Sequence, residues 1–413
     1  MLWSFIYNIL FIPIATVLVL ILKRINPKMN LRESQWRSLL NDCPDKKSKR
    51  IWFHAASMGE FEQAKPVIEL IKESDPNIEI IVSFYSPSGY ENQKNYKYAD
   101  HLLYMPFDGY FKANKFISKV NPDLVIFVRY EYWRNHLQLL KNRRIPVYLI
   151  CATRPGSGSL YFPIFNSFFK ETVSLFSRIY TVGKEHTHFF ESLDYRGELI
   201  ESSDTRLDRI IDKVSNPDST VIKKENFNND LVLIIGSSWP EDEQMIADTM
   251  NEMGDKLSLI IVPHEPNTNH LEKSMKYFPN AVLLSELENG SEHDGQDIIV
   301  DSIGKLLGLY SLGDIAYVGG AFGTGVHSVT EPAGFGLPII TGPRMENSPD
   351  AIELNKIGAL AIARNHVELK KILESLLENQ TRDKISNKSK EYVFKSQGWS
   401  KKIKNDLLKV INS

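Results

Sequence analysis

Cysteine is nearly absent: Cys43 and Cys151 are the only two in 413 residues. Two thiols exclude a disulfide-stapled scaffold and a cysteine-rich zinc module, and they suit a reducing compartment. Net charge is lacking too, since 49 Lys and Arg against 51 Asp and Glu leave −2. That balance excludes a globally basic nucleic-acid binder and an acidic solvating tail. The sequence holds no HExxH, CxxC or EF-hand pattern, so no metal is expected; His186 and His188 sit two apart, positions that diverge on a helix. Neither a Walker G-x-x-x-x-G-K-[ST] nor a first-strand G-x-G-x-x-G occurs, and no G-x-S-x-G elbow, which weighs against a plain NTPase, a dehydrogenase and a serine hydrolase. No short-period repeat suggests a solenoid. A mean hydropathy of −0.25 excludes a polytopic membrane protein but leaves room for one segment.

That segment comes first. Residues 2–22, LWSFIYNILFIPIATVLVLIL, contain no charge. As a helix, about 21 residues reach ~30 Å, the thickness of a hydrocarbon core. Pro13 is tolerable in a membrane helix and would bend it. No Lys or Arg precedes Lys23 and no Ala-x-Ala follows, so an uncleaved anchor is favoured over a signal peptide, with an interfacial helix as the other alternative. Residues 23–50 then carry nine Lys and Arg against three Asp and Glu, a local +6. By the positive-inside rule everything downstream is cytoplasmic. The basic stretch either only fixes topology or also gathers anionic lipid, at about 1 kcal/mol per basic residue.

After Arg50 short β-branched runs alternate with longer amphipathic ones. Strands are expected at 51–55, 79–84, 124–128, 147–151 and 179–182, with helices at 61–73, 132–140 and 184–193 between them. A second set of strands is expected at 231–235, 257–262, 281–284, 297–300, 315–318 and 338–340. Such alternation implies doubly wound, mostly parallel α/β sheets. The division expected is an anchor at 1–22, a basic segment at 23–50, one Rossmann-like domain at 51–213, a polar linker at 214–229 and a second domain at 230–413. Two such domains facing each other form a central cleft at the carboxyl ends of their strands, where open α/β sheets bind ligands. The charged stretch after Asn365 reads as helical and able to pack back.

Three places carry candidate chemistry. In HAASMGE (54–60) a strand runs through small residues into a helix whose first turn holds Glu60. The positive end of the macrodipole favours an ionised carboxylate there, which either accepts a proton from a substrate hydroxyl or simply complements the helix end. In DLVIFVRYEYWRNH (123–136), Glu131 follows a strand among aromatics, as a catalytic group or as a structural acceptor; burial raises its pKa and Arg129 and Arg134 lower it. In GGAFGTGVHSVTEPAGFGLPIITGP (319–343), glycines precede a helix beginning near Thr330, the pattern of a phosphate cradle with Glu331 able to accept ribose hydroxyls. Arg154 in RPGSGSL (154–160) marks either a substrate loop or a polar turn. Arg206 in SSDTRLD (202–208) either faces an anionic substrate or is solvated surface.

Taken in order, HAASMGE, RYEYWRN, SSDTRLD, GSSWPEDE (236–243), VPHEP (262–266), DSIGKL (301–306) and the glycine-rich segment resemble the 3-deoxy-D-manno-octulosonic acid (Kdo) transferases, along nearly the whole chain. The resemblance implies a GT-B glycosyltransferase moving Kdo from CMP-Kdo onto a lipid A precursor, with inversion, at the cytoplasmic face of the inner membrane and without metal or cofactor. It makes Glu60 the general base and Glu131 and Arg206 transition-state stabilisers. CMP contacts fall on His264, Glu265, Ile303, Gly304, Lys305, Ser328, Val329, Thr330 and Glu331. Implied partners are CMP-Kdo, the lipid A precursor and anionic membrane lipids, with no nucleic acid. The chain departs from the family pattern where Arg129, Tyr130 and Arg134 replace Glu, Thr and Pro, where His264–Glu265 stand for Arg–His, and where Ser328–Val329–Thr330 replace Asn-Pro-Leu. Another membrane-associated nucleotide-sugar transferase or an epimerase of the same architecture is the alternative reading, and a non-catalytic sugar-nucleotide or lipid binder the third.

Overall fold

The structure is a computed structural model, and it describes residues 2–155, 163–216, 220–323 and 325–412. Part of the 154–160 run, three residues of the 214–229 segment and Thr324 therefore lie outside the described residues. The chain divides into two compact units, one of Met1–Asp208 with Gly398–Ser413 and one of Arg209–Gln397.

The first unit holds β1 (Arg50–Ala55), β2 (Glu79–Phe84), β3 (His101–Tyr104), β4 (Leu124–Val128), β5 (Val147–Ala152), β6 (Arg178–Val182) and β7 (Glu198–Ser202). They form one sheet in the order β3-β2-β1-β4-β5-β6-β7, each pairing parallel. Sheets covered on both faces read as unbroken apolar runs, which is why IWFHA, LVIFV and VYLIC are legible in the sequence. Along β1 the side chains alternate between two cores: Trp52 packs with Phe116 and Phe127, while Ile51 and Phe53 pack with Phe61, Val67 and Ile126. β3 and β7 escaped the sequence reading because HLLY and ELIES are short and half-exposed at the sheet edges.

The second unit repeats the design with β8 (Val232–Ser238), β9 (Ser258–Pro263), β10 (Val282–Leu283), β11 (Ile298–Ile299), β12 (Ile315–Val318), β13 (Ile339–Thr341) and β14 (Leu360–Ile362). Its order is β10-β11-β9-β8-β12-β13-β14, again parallel. Three helices follow Asn365, at His366–Leu376, Asn379–Phe394 and Trp399–Asn412. The last belongs to the first unit: Ile403, Leu407 and Ile411 are buried in the same core as Phe61 and Val67. Asp208 holds its start, accepting from the Gly398 and Ser400 amides.

This returning helix contributes to the first unit's stability by plain apolar burial. Leu407 is fully buried, so Leu407→Ala is expected to destabilise the unit by about 2–5 kcal/mol. Chemical denaturation followed by tryptophan fluorescence checks this, and a change near zero would contradict the packing.

Candidate functional site

In a parallel sheet every strand ends on the same edge, so the loops after β1, β4 and β7 gather at one rim of the first unit. β1 and β4 are direct neighbours, with His54 opposite Phe127. After β1 the chain turns through Ala56 and Ser57 into the helix Met58–Ser74, with Glu60 in its first turn. Glu60 Oε2 accepts from the Ser57 amide at 2.7 Å and the Ser57 hydroxyl at 2.8 Å. The carboxylate thus serves a helix-capping function. It is nonetheless half-exposed, so it remains open to a proton donor.

Glu131, following β4, is buried. Its Oε2 faces His54 Nε2 at 3.0 Å and accepts from the Trp133 indole N–H. His54 Nδ1 lies 2.8 Å from Ser83 Oγ, which in turn accepts from Trp52 Nε1 at 2.7 Å. A relay of polar groups therefore crosses β4, β1 and β2 inside the rim. Trp133 packs against Tyr85 at 4.7 Å, and the Arg32 guanidinium lies over the Tyr85 ring at 3.8 Å. Arg129 takes a left-handed backbone, φ +67°, where β4 leaves the sheet, as do Cys151 at the end of β5 (φ +52°) and Ser237 near the end of β8 (φ +51°). Non-glycine residues avoid that region unless tertiary contacts hold them there, and such strain concentrates at functional rims.

Arg206 is one-third exposed and bound by Asp204, whose Oδ2 accepts from Nη2 at 2.7 Å. Burial works to raise the Asp204 carboxyl, but the Arg206 charge and hydrogen bonds, with the Gln63 amide, prevail and hold it below its ordinary value. Gln63 lies one turn beyond Glu60 and donates to Asp204 Oδ2 at 2.7 Å, while the Thr205 hydroxyl donates to the Gln63 carbonyl. The loop after β7 is thereby tied to the helix that carries Glu60. Cys151, fully buried with its thiol pushed up to about 12 by that burial, is no nucleophile.

In the second unit the loops after β8, β9, β11 and β12 share one rim. His264 and Glu265, directly after β9, are exposed. The His264 ring stacks on His327 at 4.1 Å and lies 5.2 Å from Trp239. Trp239 Nε1 donates to His327 Nε2 at 3.2 Å, which requires that nitrogen to be unprotonated. Ile303 and Gly304 are exposed, Gly304 at φ +88°, and exposed Lys305 pairs with Glu288 at 2.7 Å. The glycine-rich turn after β12 is glycine by necessity at Gly320, where φ is +95° and a Cβ would lie 2.6 Å from the Gly325 carbonyl. Asp242 fastens the turn, accepting from the Gly320 amide at 3.0 Å and the Tyr317 hydroxyl at 2.7 Å. The helix after it, Thr330–Gly334, has only five residues. Ser328 is exposed and Glu331 half-exposed, whereas Val329 and Thr330 are buried, which leaves their backbone rather than their side chains to meet a ligand.

The structure thus gathers Glu60, Glu131 and the Arg206 loop on the first rim, and His264, Glu265, 303–305 and 328–331 on the second. His54, Gln63, Asp204, Trp239 and His327 were not singled out as site residues from the sequence. The available signal for His54 was a lone polar residue inside an apolar strand, and for Asp204 a carboxylate two residues before the arginine. His186 Nδ1 accepts from the Arg154 amide at 3.1 Å. Among the described residues no three His, Cys, Asp or Glu side chains gather as a metal-ligating group.

Residues 31–209 match the family model of the 3-deoxy-D-manno-octulosonic-acid (Kdo) transferases. Over 430 aligned positions the chain is 24% identical to the 3-deoxy-D-manno-octulosonic acid transferase of Haemophilus influenzae, covering 98% of both. It is 27% identical to that of Aquifex aeolicus, covering 90% of this chain and 94% of the relative. In fold it resembles the UDP-GlcNAc 2-epimerase of Neisseria meningitidis, with TM-score 0.61, 16% identity, and 87% and 100% of the two chains covered. Acinetobacter baumannii MurG gives 0.58, 14%, and 88% and 100%. These likenesses identify a GT-B-type architecture.

The His327 geometry sets a pH dependence. Burial, and secondarily His264, lowers its pKa from 6.5 to about 4. Because the unfolded imidazole binds its proton first, the stability His327 contributes is full above about pH 6.5 and declines as pH falls toward about 4. The stability difference between wild type and His327→Gln is expected to shrink over that window in chemical denaturation; a difference that grows would contradict the neutral tautomer.

Proposed function

We propose that this chain, a Kdo glycosyltransferase by family, transfers Kdo from CMP-Kdo to a lipid A precursor with inversion, Glu60 acting as general base. The observation that carries this reading is a half-exposed carboxylate in the first turn of a helix at the carboxyl rim of a parallel sheet. Its Oε2 is oriented by the Ser57 amide and hydroxyl while the carboxylate stays half-exposed toward the rim. In the reaction the acceptor hydroxyl loses its proton to Glu60 while its oxygen bonds to the anomeric carbon of Kdo. The bond from that carbon to the phosphate oxygen breaks, and CMP departs with the electron pair.

Charge develops on the leaving phosphate, and preorganised positive groups stabilise it without reorganisation. The Arg206 guanidinium, held in place by Asp204, is suited to that role. Glu131, buried on His54 and Trp133, supports the transition state by keeping the rim beside Glu60 rigid. The nucleotide is held by His264 and Glu265, by the exposed turn Ile303–Gly304–Lys305, and by Ser328, the Val329 and Thr330 backbone and Glu331. No metal or organic cofactor takes part. The enzyme works at the inner membrane, on its cytoplasmic side, where the basic segment 23–50 meets anionic lipid.

Glu60→Gln separates catalysis from capping, because glutamine at this position still accepts from the Ser57 amide. Transfer to lipid, measured by mass spectrometry of the product, is expected to fall about 10²–10⁴-fold with CMP binding retained. Near-normal turnover would remove Glu60 from the reaction. Chelator treatment is expected to leave transfer intact, and a loss restored by a divalent ion would contradict the metal-independent scheme.

A further inference from the structure

The helix Leu2–Leu22 is long and apolar enough to cross a membrane, with an apolar span of 20 residues from Trp3 to Leu22. Both of its ends are nevertheless fastened to the same unit. At the start, the Trp3 indole donates to Ser167 Oγ at 3.1 Å and packs edge-on against Phe168. Arg134 Nη2 donates to Ser4 Oγ at 3.1 Å, and the Tyr7 hydroxyl donates to Asp108 Oδ2 at 2.9 Å. Asn8 and Asn135 exchange amide hydrogen bonds of 2.9 and 2.8 Å. Asp108 and Arg134 are almost wholly buried, and Asp108 also holds His136 Nδ1 at 2.6 Å.

Midway, Asn8, Ile12 and Thr16 face Phe107, Gly109 and Lys112 across a cavity of about 480 Å³. Ile12 and Val19, seven residues apart on one face, are buried. At the end, the chain turns through 23–26 into the helix Pro27–Asp42, whose Arg32, Trp36 and Leu40 are buried in the same unit. The rest of the first helix is bare, with Phe5, Ile9, Phe11, Ile14, Leu18 and Ile21 each more than half exposed. A π-helical turn at Tyr7–Phe11 precedes Pro13 and adjusts the helix where the proline lacks an N–H.

We propose that this helix does not cross the bilayer but lies within a single leaflet, its docked stripe on the protein and its bare face among acyl chains. A spanning helix would carry the Asp108–Asn135–Arg134 cluster, and the unit attached to it, to the opposite side from residues 23–42, which are part of that unit. Placing buried charges at bilayer depth without water is costly. Lying flat costs nothing of the kind. The occupant of the bare face is lipid: Arg24 and Lys28 are exposed at one end of the helix for anionic head groups, and Tyr110 and Phe111, the latter 85% exposed, flank it at the cavity. On this proposal the helix takes the interfacial alternative in place of the spanning anchor expected from its length, independently of the sugar transferred.

Membrane vesicles bearing the full chain with Leu2→Cys or Ile25→Cys decide it, probed with a membrane-impermeant maleimide from each side. Cys43 and Cys151 are buried and give little background. Both introduced thiols are expected to label from the same side and to be protected from the other. Labelling from opposite sides would overturn the proposal, as would a protein that does not sediment with vesicles. A cysteine-bearing tag placed before Met1 repeats the measurement without touching the helix, so a poorly folding Leu2→Cys does not blunt the test.

Discussion

Parallel pairing of β1 with β4 is the constraint on which the first unit's candidate site depends. Because the two strands run the same way and end level, the chain segments leaving them meet at one rim, with Glu60 half-exposed on it and Glu131 buried beneath it though 71 positions separate them in sequence. The contact between His54 and Glu131 then locks the two strand ends together beneath that surface. A buried carboxylate held on one oxygen by an imidazole and an indole has little freedom to move. Rigidity at the rim follows from that local satisfaction.

The segment 131–136 links two tasks. Its first residues, Glu131 and Trp133, complete the buried relay; its next, Arg134 and Asn135, grip the apolar N-terminal helix, and His136 shares Asp108 with Tyr7. Arg134 is therefore a docking residue, with Thr172, Glu171 and Ser4 as partners. The candidate rim and the apolar N-terminal helix are thus held by one short stretch of chain.

Most of the sheet architecture was legible in the sequence because buried parallel strands are continuous apolar runs, and eleven of the fourteen strands fall where such runs occur. The three that escaped, β3, β7 and β14, are short and lie at or beside sheet edges, where half the environment is water and the pattern dissolves. Glu60, Glu131 and the glycine-rich turn were legible because each directly follows a recognisable strand. The supporting groups were not. Gln63 and Asp204 are 141 positions apart, as are few pairs a motif can encode, and their bond exists only because the loop after β7 folds over the helix after β1.

The amino-acid order alone determined two α/β halves, an uncharged leading segment followed by positive charge, and carboxylates at strand ends, since periodicity, hydropathy and spacing are local properties of the chain. Only the tertiary structure decided that the final helix belongs to the first unit, that Val329 and Thr330 turn inward, and that the apolar helix is fastened at both ends. Those outcomes depend on which distant surfaces meet, and a linear string carries no record of where a side chain finds its partner.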